Sequence, residues 1–165
     1  MDQTPHGNFN YPSDYRIGAG RICELPELCR AHHIEAPLVV SDPGVRALPW
    51  FARIEEILQK AGLAFSTFSE IAANPDEEQV MAGLRQYKEG GHDGLLLIGG
   101  GSAMDVGKCI ALMAHAPGKL FDYEDGRDDW LALDPQRIPN SIAVPTTAGT
   151  GSEVGRASVI LNPEH

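Results

Sequence analysis

LLLIGGGSAMDVGK, residues Leu95–Lys108, joins an unbroken apolar run to three glycines, a serine and a helical pattern. The run Gly94–Ile98 has no alternation of apolar and polar residues, so it predicts a strand buried on both faces, as in a parallel sheet. A helix from Ser102 to about His115 follows, with Val106, Cys109, Ile110 and Met113 on one side and Pro117–Gly118 as its stop. His115 is placed to cap its last carbonyls. In parallel α/β sheets, ligands bind outside the carboxyl ends of the strands. Gly99, Gly100, Gly101 and Ser102 stand at such an end. Glycines let main-chain N–H groups approach an anion with no Cβ in the way, and a helix N-terminus adds free donors and a partial positive charge. A phosphate or pyrophosphate is the natural guest. The other reading is a tight strand–helix connection, but three glycines exceed what a turn needs.

The neighbouring stretches repeat this step. PLVVSD (Pro37–Asp42) is a short β-branched run ending in a turn. ALPWFARIEEILQKAG predicts a helix with Phe51, Ile54 and Leu58 at helical spacing, Pro49 in its first turn and Gly62 as its stop. LAFSTFSEI (Leu63–Ile71) reads as a strand. NPDEEQVMAGLRQYKEGG predicts a helix with Asn74 as N-cap, Glu77 at capping-box spacing, an apolar face of Val80, Leu84 and Tyr87, and Gly90–Gly91 at its end. KLFDYEDGRDDWLALDPQRIPN is polar and turn-rich, a surface excursion. SIAV (Ser141–Val144) is a further strand and ASVIL (Ala157–Leu161) a last one. The alternation predicts one α/β domain over residues 1–165, a Rossmann-like open, mostly parallel sheet with helices on both faces. A parallel sheet normally covers its last strand with another helix, and here LNPEH follows directly. The chain is therefore expected to be the N-terminal portion of something longer.

Composition narrows the function. The net charge is −10, which repels nucleic acid and anionic membrane surfaces. No stretch approaches the ~18 consecutive apolar residues of a spanning helix. The start MDQTPHGNFN has neither a basic nor an apolar leader region, so no secretory signal is expected. Three cysteines without CxxC (Cys23, Cys29, Cys109) fit a reducing cytoplasm. The six histidines contain no HExxH, and no complete metal site is expected within the chain. No nucleophile-elbow context or singled-out carboxylate pair is present, so the catalytic residues stay unassigned. Trp50 and Trp130 read as packing or surface anchors.

The glycine loop fails two standard patterns. GxGxxG would need glycine where Met104 stands, and GxxxxGK[ST] fails at Ser102 and Cys109. Asp105, in the first turns of the helix, either favours the helix dipole or orients a phosphate loop. Asp42 could accept hydrogen bonds from a ribose diol, or merely belong to a Pro-Gly turn. In the usual dinucleotide fold the acid follows the glycines by ~20 residues. Here it precedes them, so the topology differs. PTTAGTGSEV (Pro145–Val154) offers the hydroxyls of Thr146, Thr147, Thr150 and Ser152. A helix start with Thr150 and Glu153 as capping box is the competing reading, but a cap needs one hydroxyl rather than four.

Together, DGLLLIGGGSAMDVGK and PTTAGTGSEVGRASVI resemble the iron-dependent (group III) alcohol dehydrogenases. YRIGAGRICELPELC looks like that family's opening strand, glycine turn and first helix, and VVSDPGV like its ribose-binding strand end. The resemblance covers nearly the whole chain. It implies an N-terminal domain that binds NAD(H), with NADP less favoured, and an all-helical C-terminal domain holding a divalent metal, iron or zinc, that is missing here. By resemblance, Gly99, Gly100, Gly101 and Ser102 hold the pyrophosphate with Asp105 close by. Asp42 takes the adenosine ribose, and Asn74, Thr146, Thr147, Thr150 and Val154 line the rest of the groove. The expected reaction is hydride transfer between a small-molecule alcohol or aldehyde and nicotinamide in a cytoplasmic enzyme, with this chain alone inactive. Apolar surface where the second domain would pack is expected to favour a homo-oligomer. No lysine follows the Thr-rich loop, where members often carry one; Arg156 is the nearby cation. A polyol dehydrogenase or dehydroquinate-synthase-like relative, a phosphotransferase, and a non-catalytic α/β nucleotide-binding module are the alternatives.

Overall fold

The long apolar run forms a central strand of a four-stranded parallel sheet of order β4-β3-β5-β6 in a computed structural model. The structure describes residues 7–10 and 14–162, so His6 and His165 lie outside the described residues. The strands are β3 (Pro37–Val40), β4 (Ser66–Phe68), β5 (Gly94–Gly99) and β6 (Ser141–Pro145). Before them, β1 (Gly7–Asn10) and β2 (Asp14–Ile17) pair as an antiparallel hairpin. The helices are α1 (Leu25–Ala31), α2 (Pro43–Arg46), α3 (Pro49–Lys60), α4 (Glu77–Glu89) and α5 (Gly101–Met113).

Strand side chains alternate between faces, and here both faces are covered. Leu38, Val40, Leu95 and Leu97 pack with Val80 and Leu84 of α4 and Val106 and Ile110 of α5. Val39, Leu96 and Ile98 pack with Leu25 and Cys29 of α1 and Phe51, Ile54 and Leu58 of α3. This is why the strand sequences lack alternation. The register Leu95↔Ser141 through Gly99↔Pro145 brings the ends of β5 and β6 level. Ser41, fully buried, donates its hydroxyl to Ile98 O at 2.7 Å and ties in the end of β3.

Four expectations need correction. The strand read over 63–71 shrinks to Ser66–Phe68, because β4 is an edge strand with only three paired positions on β3. Asp76, not Asn74, caps α4, accepting from Gln79 N–H at 3.3 Å. The helix starts late because Asp76 forms an isolated parallel bridge to Leu161 and is held extended. ASVIL forms no sheet strand; beyond that bridge its backbone groups are taken by side chains of α5. His115 is exposed beyond α5, and no hydrogen bond among the described residues joins its ring to the helix carbonyls. The turn-rich excursion holds the short 3₁₀ segments Leu120–Tyr123, Asp129–Ala132 and Pro135–Arg137. No helix among the described residues is long and apolar enough to cross a membrane.

An ion cluster sits near the start of α1. Arg21 and then Arg16 donate to the Glu24 carboxylate, holding its pKa down at about 2. A depressed carboxylate pKa stabilises the fold above the ordinary value and loses that contribution as pH falls through the folded one. The urea midpoints of the parent and Glu24→Gln proteins are therefore expected to differ at neutral pH and to converge as pH falls toward about 2. A gap that stayed constant down to that pH would show that the pairing contributes nothing.

Candidate functional site

The glycine loop is delivered by β5 and closed by α5. Gly100 is the N-cap of α5 and supplies no side-chain cap. The first N–H groups of a helix have no intrahelical partner, so this end presents main-chain donors to whatever lies above it. The Ser102 hydroxyl does not cap them; it donates to Ala73 O at 2.8 Å and pulls the loop before α4 against the cradle. That contact sets exposed Asn74 next to the site.

Two other strand ends close around the glycines. Thr146 N–H donates to Gly99 O at 2.9 Å, extending the β6 ladder by one bond. A Cβ on Gly100 would lie 3.1 Å from Thr147 Oγ1, and one on Gly101 3.4 Å from both Ser152 Oγ and Thr150 Cγ2. Thr147, Thr150 and Ser152 thus overhang the cradle. A Cβ on Gly99 would lie 2.7 Å from Ala103 Cβ and 3.1 Å from Asp42 Oδ2. Asp42 also accepts from Val45 N–H at 2.9 Å as the N-cap of α2, so one carboxylate oxygen is spent on that cap while the other faces Gly99. The Pro-Gly turn is thereby a short capped helix.

The remaining expected residues lie further out. Val154 is in a turn closed by its own N–H on Gly151 O at 3.1 Å, with its side chain exposed. Residues 151–155 form turns, so the Thr150–Glu153 helix start does not occur. Asp105 is 6% exposed, with Oδ2 accepting from Val159 N–H at 3.1 Å and Oδ1 at 3.1 Å from Lys108 Nζ. Arg156 stacks on Trp130, its guanidinium carbon 4.6 Å from the ring centre. Lys108 carries contacts that the loop motifs do not point to. The signal for it is a cation three residues after Asp105 on one helix face.

The arrangement can bind an anion. The first N–H groups of α5 and the hydroxyls of Thr147 and Ser152 lie around the three glycines, with Asp42 at one edge to repel further negative charge. The pyrophosphate and ribose of a dinucleotide fit this donor set. Among the described residues, no three His, Cys, Asp or Glu side chains group so as to hold a metal ion. A cavity of 580 Å³ opens at the other end of the sheet, beside Tyr87, His92, Asp93, His115, Arg137 and Asn140. Two of its polar groups are committed to the fold: Asp93 accepts from Glu35 and Ala36 N–H, and His92 bonds Ala36 O and Ser66 Oγ.

The family model described as iron-containing alcohol dehydrogenase matches residues 12–165. The chain is 37% identical over 151 residues to the 4-hydroxybutyrate dehydrogenase of Cupriavidus necator, covering 92% of this chain and 39% of that one. It is 36% identical over 156 residues to the choline dehydrogenase of Bacillus subtilis, covering 94% and 38%. A crystal structure of 1,3-propanediol oxidoreductase superposes with a TM-score of 0.79 at 32% identity, over 89% of this chain and 37% of that one. The sulfoacetaldehyde reductase of Bifidobacterium kashiwanohense, solved in complex with NAD+, superposes with a TM-score of 0.73 at 29% identity, over 89% and 38%. The chain thus spans under half the length of the relatives it matches.

Proposed function

The chain belongs to the iron-containing alcohol dehydrogenase family, and from that membership we propose that residues 1–165 form the dinucleotide-binding domain of an NAD-dependent, metal-requiring oxidoreductase. The observation that carries this reading is the uncapped, glycine-lined N-terminus of α5 beneath Thr147, Thr150 and Ser152. A nicotinamide dinucleotide held there would supply the hydride acceptor for a small alcohol and the hydride donor for an aldehyde. The chain's own residues bind and orient. Gly99, Gly100, Gly101 and Ser102 take the pyrophosphate on main-chain N–H groups. Asp42 takes the adenosine ribose, while Asn74, Thr146, Thr147, Thr150 and Val154 line the groove. The metal, iron or zinc, belongs to the part of the enzyme beyond this chain. The proposed enzyme is cytoplasmic, a reading supported by three free thiols, and assembles as a homo-oligomer.

Alcohol-dependent NAD+ reduction by the intact protein tests the reading, and Asp42→Ser sharpens it. Serine is as good an N-cap as aspartate, so α2 is kept while the charge that would repel a 2′-phosphate is removed. The NADP+/NAD+ ratio of kcat/KM is expected to rise by about tenfold, equivalent to ~1.4 kcal/mol. An unchanged ratio would remove Asp42 from the ribose site.

A further inference from the structure

We infer that Asp105 and Lys108 are positioning residues: they fasten residues 155–161 across α5 and thereby set the Thr-rich loop over the glycine cradle. The inference rests on the proposed nucleotide site and deepens it.

Residues 155–161 continue directly from the Thr-rich loop, and side chains of α5 bind their backbone. Lys108 Nζ donates to Gly155 O at 3.1 Å and to Ala157 O, and lies 3.1 Å from Asp105 Oδ1. Asp105 Oδ2 accepts from Val159 N–H at 3.1 Å. Positions i and i+3 share one helix face, so Asp105 and Lys108 form a row under the segment. Its far end is tied by Leu161 N–H to Pro75 O at 2.8 Å. Ala73, two residues before Pro75, receives the Ser102 hydroxyl. The contacts close a ring from cradle to α5, to the segment, to the loop before α4, and back to the cradle.

Apolar burial contributes little to holding this segment, since Val159 and Leu161 are 75% and 53% exposed. The polar contacts hold it, with Ile160 adding one apolar contact to the core. Asp105 and Lys108 side chains are themselves 9% and 19% exposed, so each depends on the other for charge balance. Asp105 Oδ1 has the nearby ammonium but no aligned hydrogen bond. Both carboxylate oxygens of Asp105 therefore face Lys108 and the segment. This gives Asp105 a role beyond the place close to the pyrophosphate that the family resemblance implies.

Two substitutions attack the fastening from opposite sides in the intact protein. Asp105→Asn removes the charge, and Val159→Pro removes the N–H donor without touching α5. Both are expected to lower amide exchange protection at Val154, Gly155 and Leu161, leave β3 and β5 protected, and weaken NADH binding by about tenfold. Combined, they are expected to be non-additive, because they break one contact. If protection falls while NADH affinity is unchanged, the segment does not set the site and the inference is wrong. It is equally wrong if Asp105→Asn weakens NADH while Val159→Pro does not, since Asp105 would then act on the cofactor directly. Should Asp105→Asn fail to fold, seen as lost protection in β3 and β5, Val159→Pro alone decides. Failure of the unsubstituted protein to bind NADH would overturn the nucleotide site first, and this inference with it.

Discussion

Gly100→Asp is expected to lower NADH affinity by at least about a hundredfold, ~2.8 kcal/mol, while leaving the fold intact. Gly100 has φ −83° and ψ −166°, extended backbone open to any residue. It is the N-cap of α5, where aspartate is among the preferred residues. The helix itself therefore loses nothing, and its N-terminus gains an acceptor. The new carboxylate competes with a ligand for the same unpaired N–H groups and repels a pyrophosphate directly. It also enters a space where even a Cβ would stand 3.1 Å from Thr147 Oγ1. An NADH titration beside a urea melt separates the two effects. Unchanged NADH affinity in a folded variant would take the pyrophosphate away from this loop.

Gly107→Val is expected to act in the opposite way, unfolding the protein before it touches the ligand. Gly107 lies where α5 crosses β5, and a Cβ there would meet Leu97 Cδ2 at 2.2 Å and Cγ at 3.1 Å. Leu97 is 2% exposed, packed between α4 and α5, and its end has little room to swing away. Overpacking a close-packed core costs ~1–3 kcal/mol, and a β-branched residue adds a smaller helix penalty. A loss of about 3 kcal/mol is therefore expected in denaturant unfolding. A loss below about 0.5 kcal/mol would mean that α5 is not seated as closely on the sheet as described.

The sheet is legible in the sequence because its chemistry is local. Leu95, Leu96 and Leu97 point alternately to two covered faces, so each must be apolar, and an unalternating run this short fits little besides a buried strand. The glycines are legible for the same reason: their close neighbours, Asp42, Thr147 and Thr150, all belong to polar stretches at strand ends. The pattern misleads where a distant contact overrides it. Asn74 and Glu77 have capping-box spacing, but the bridge from Asp76 to Leu161 delays the helix. ASVIL has the composition of a strand, yet Lys108 and Asp105 claim its backbone groups. Neither partner is near in sequence, so neither outcome can be read from the stretch itself. Asp105 shows the same limit within one residue: its place in the helix is readable, but the direction of its carboxylate depends on a segment more than fifty residues away.

The central claim is that the glycine end of α5 binds a nicotinamide dinucleotide. Titrating the intact protein with NADH, while following backbone amide shifts or exchange protection, tests it most directly. Saturable binding is expected, with the largest changes at Gly99–Ser102 and Thr146–Thr150. No binding at millimolar NADH, tighter binding of ATP with magnesium, or changes confined to the cavity beside His92 and Arg137 would contradict it.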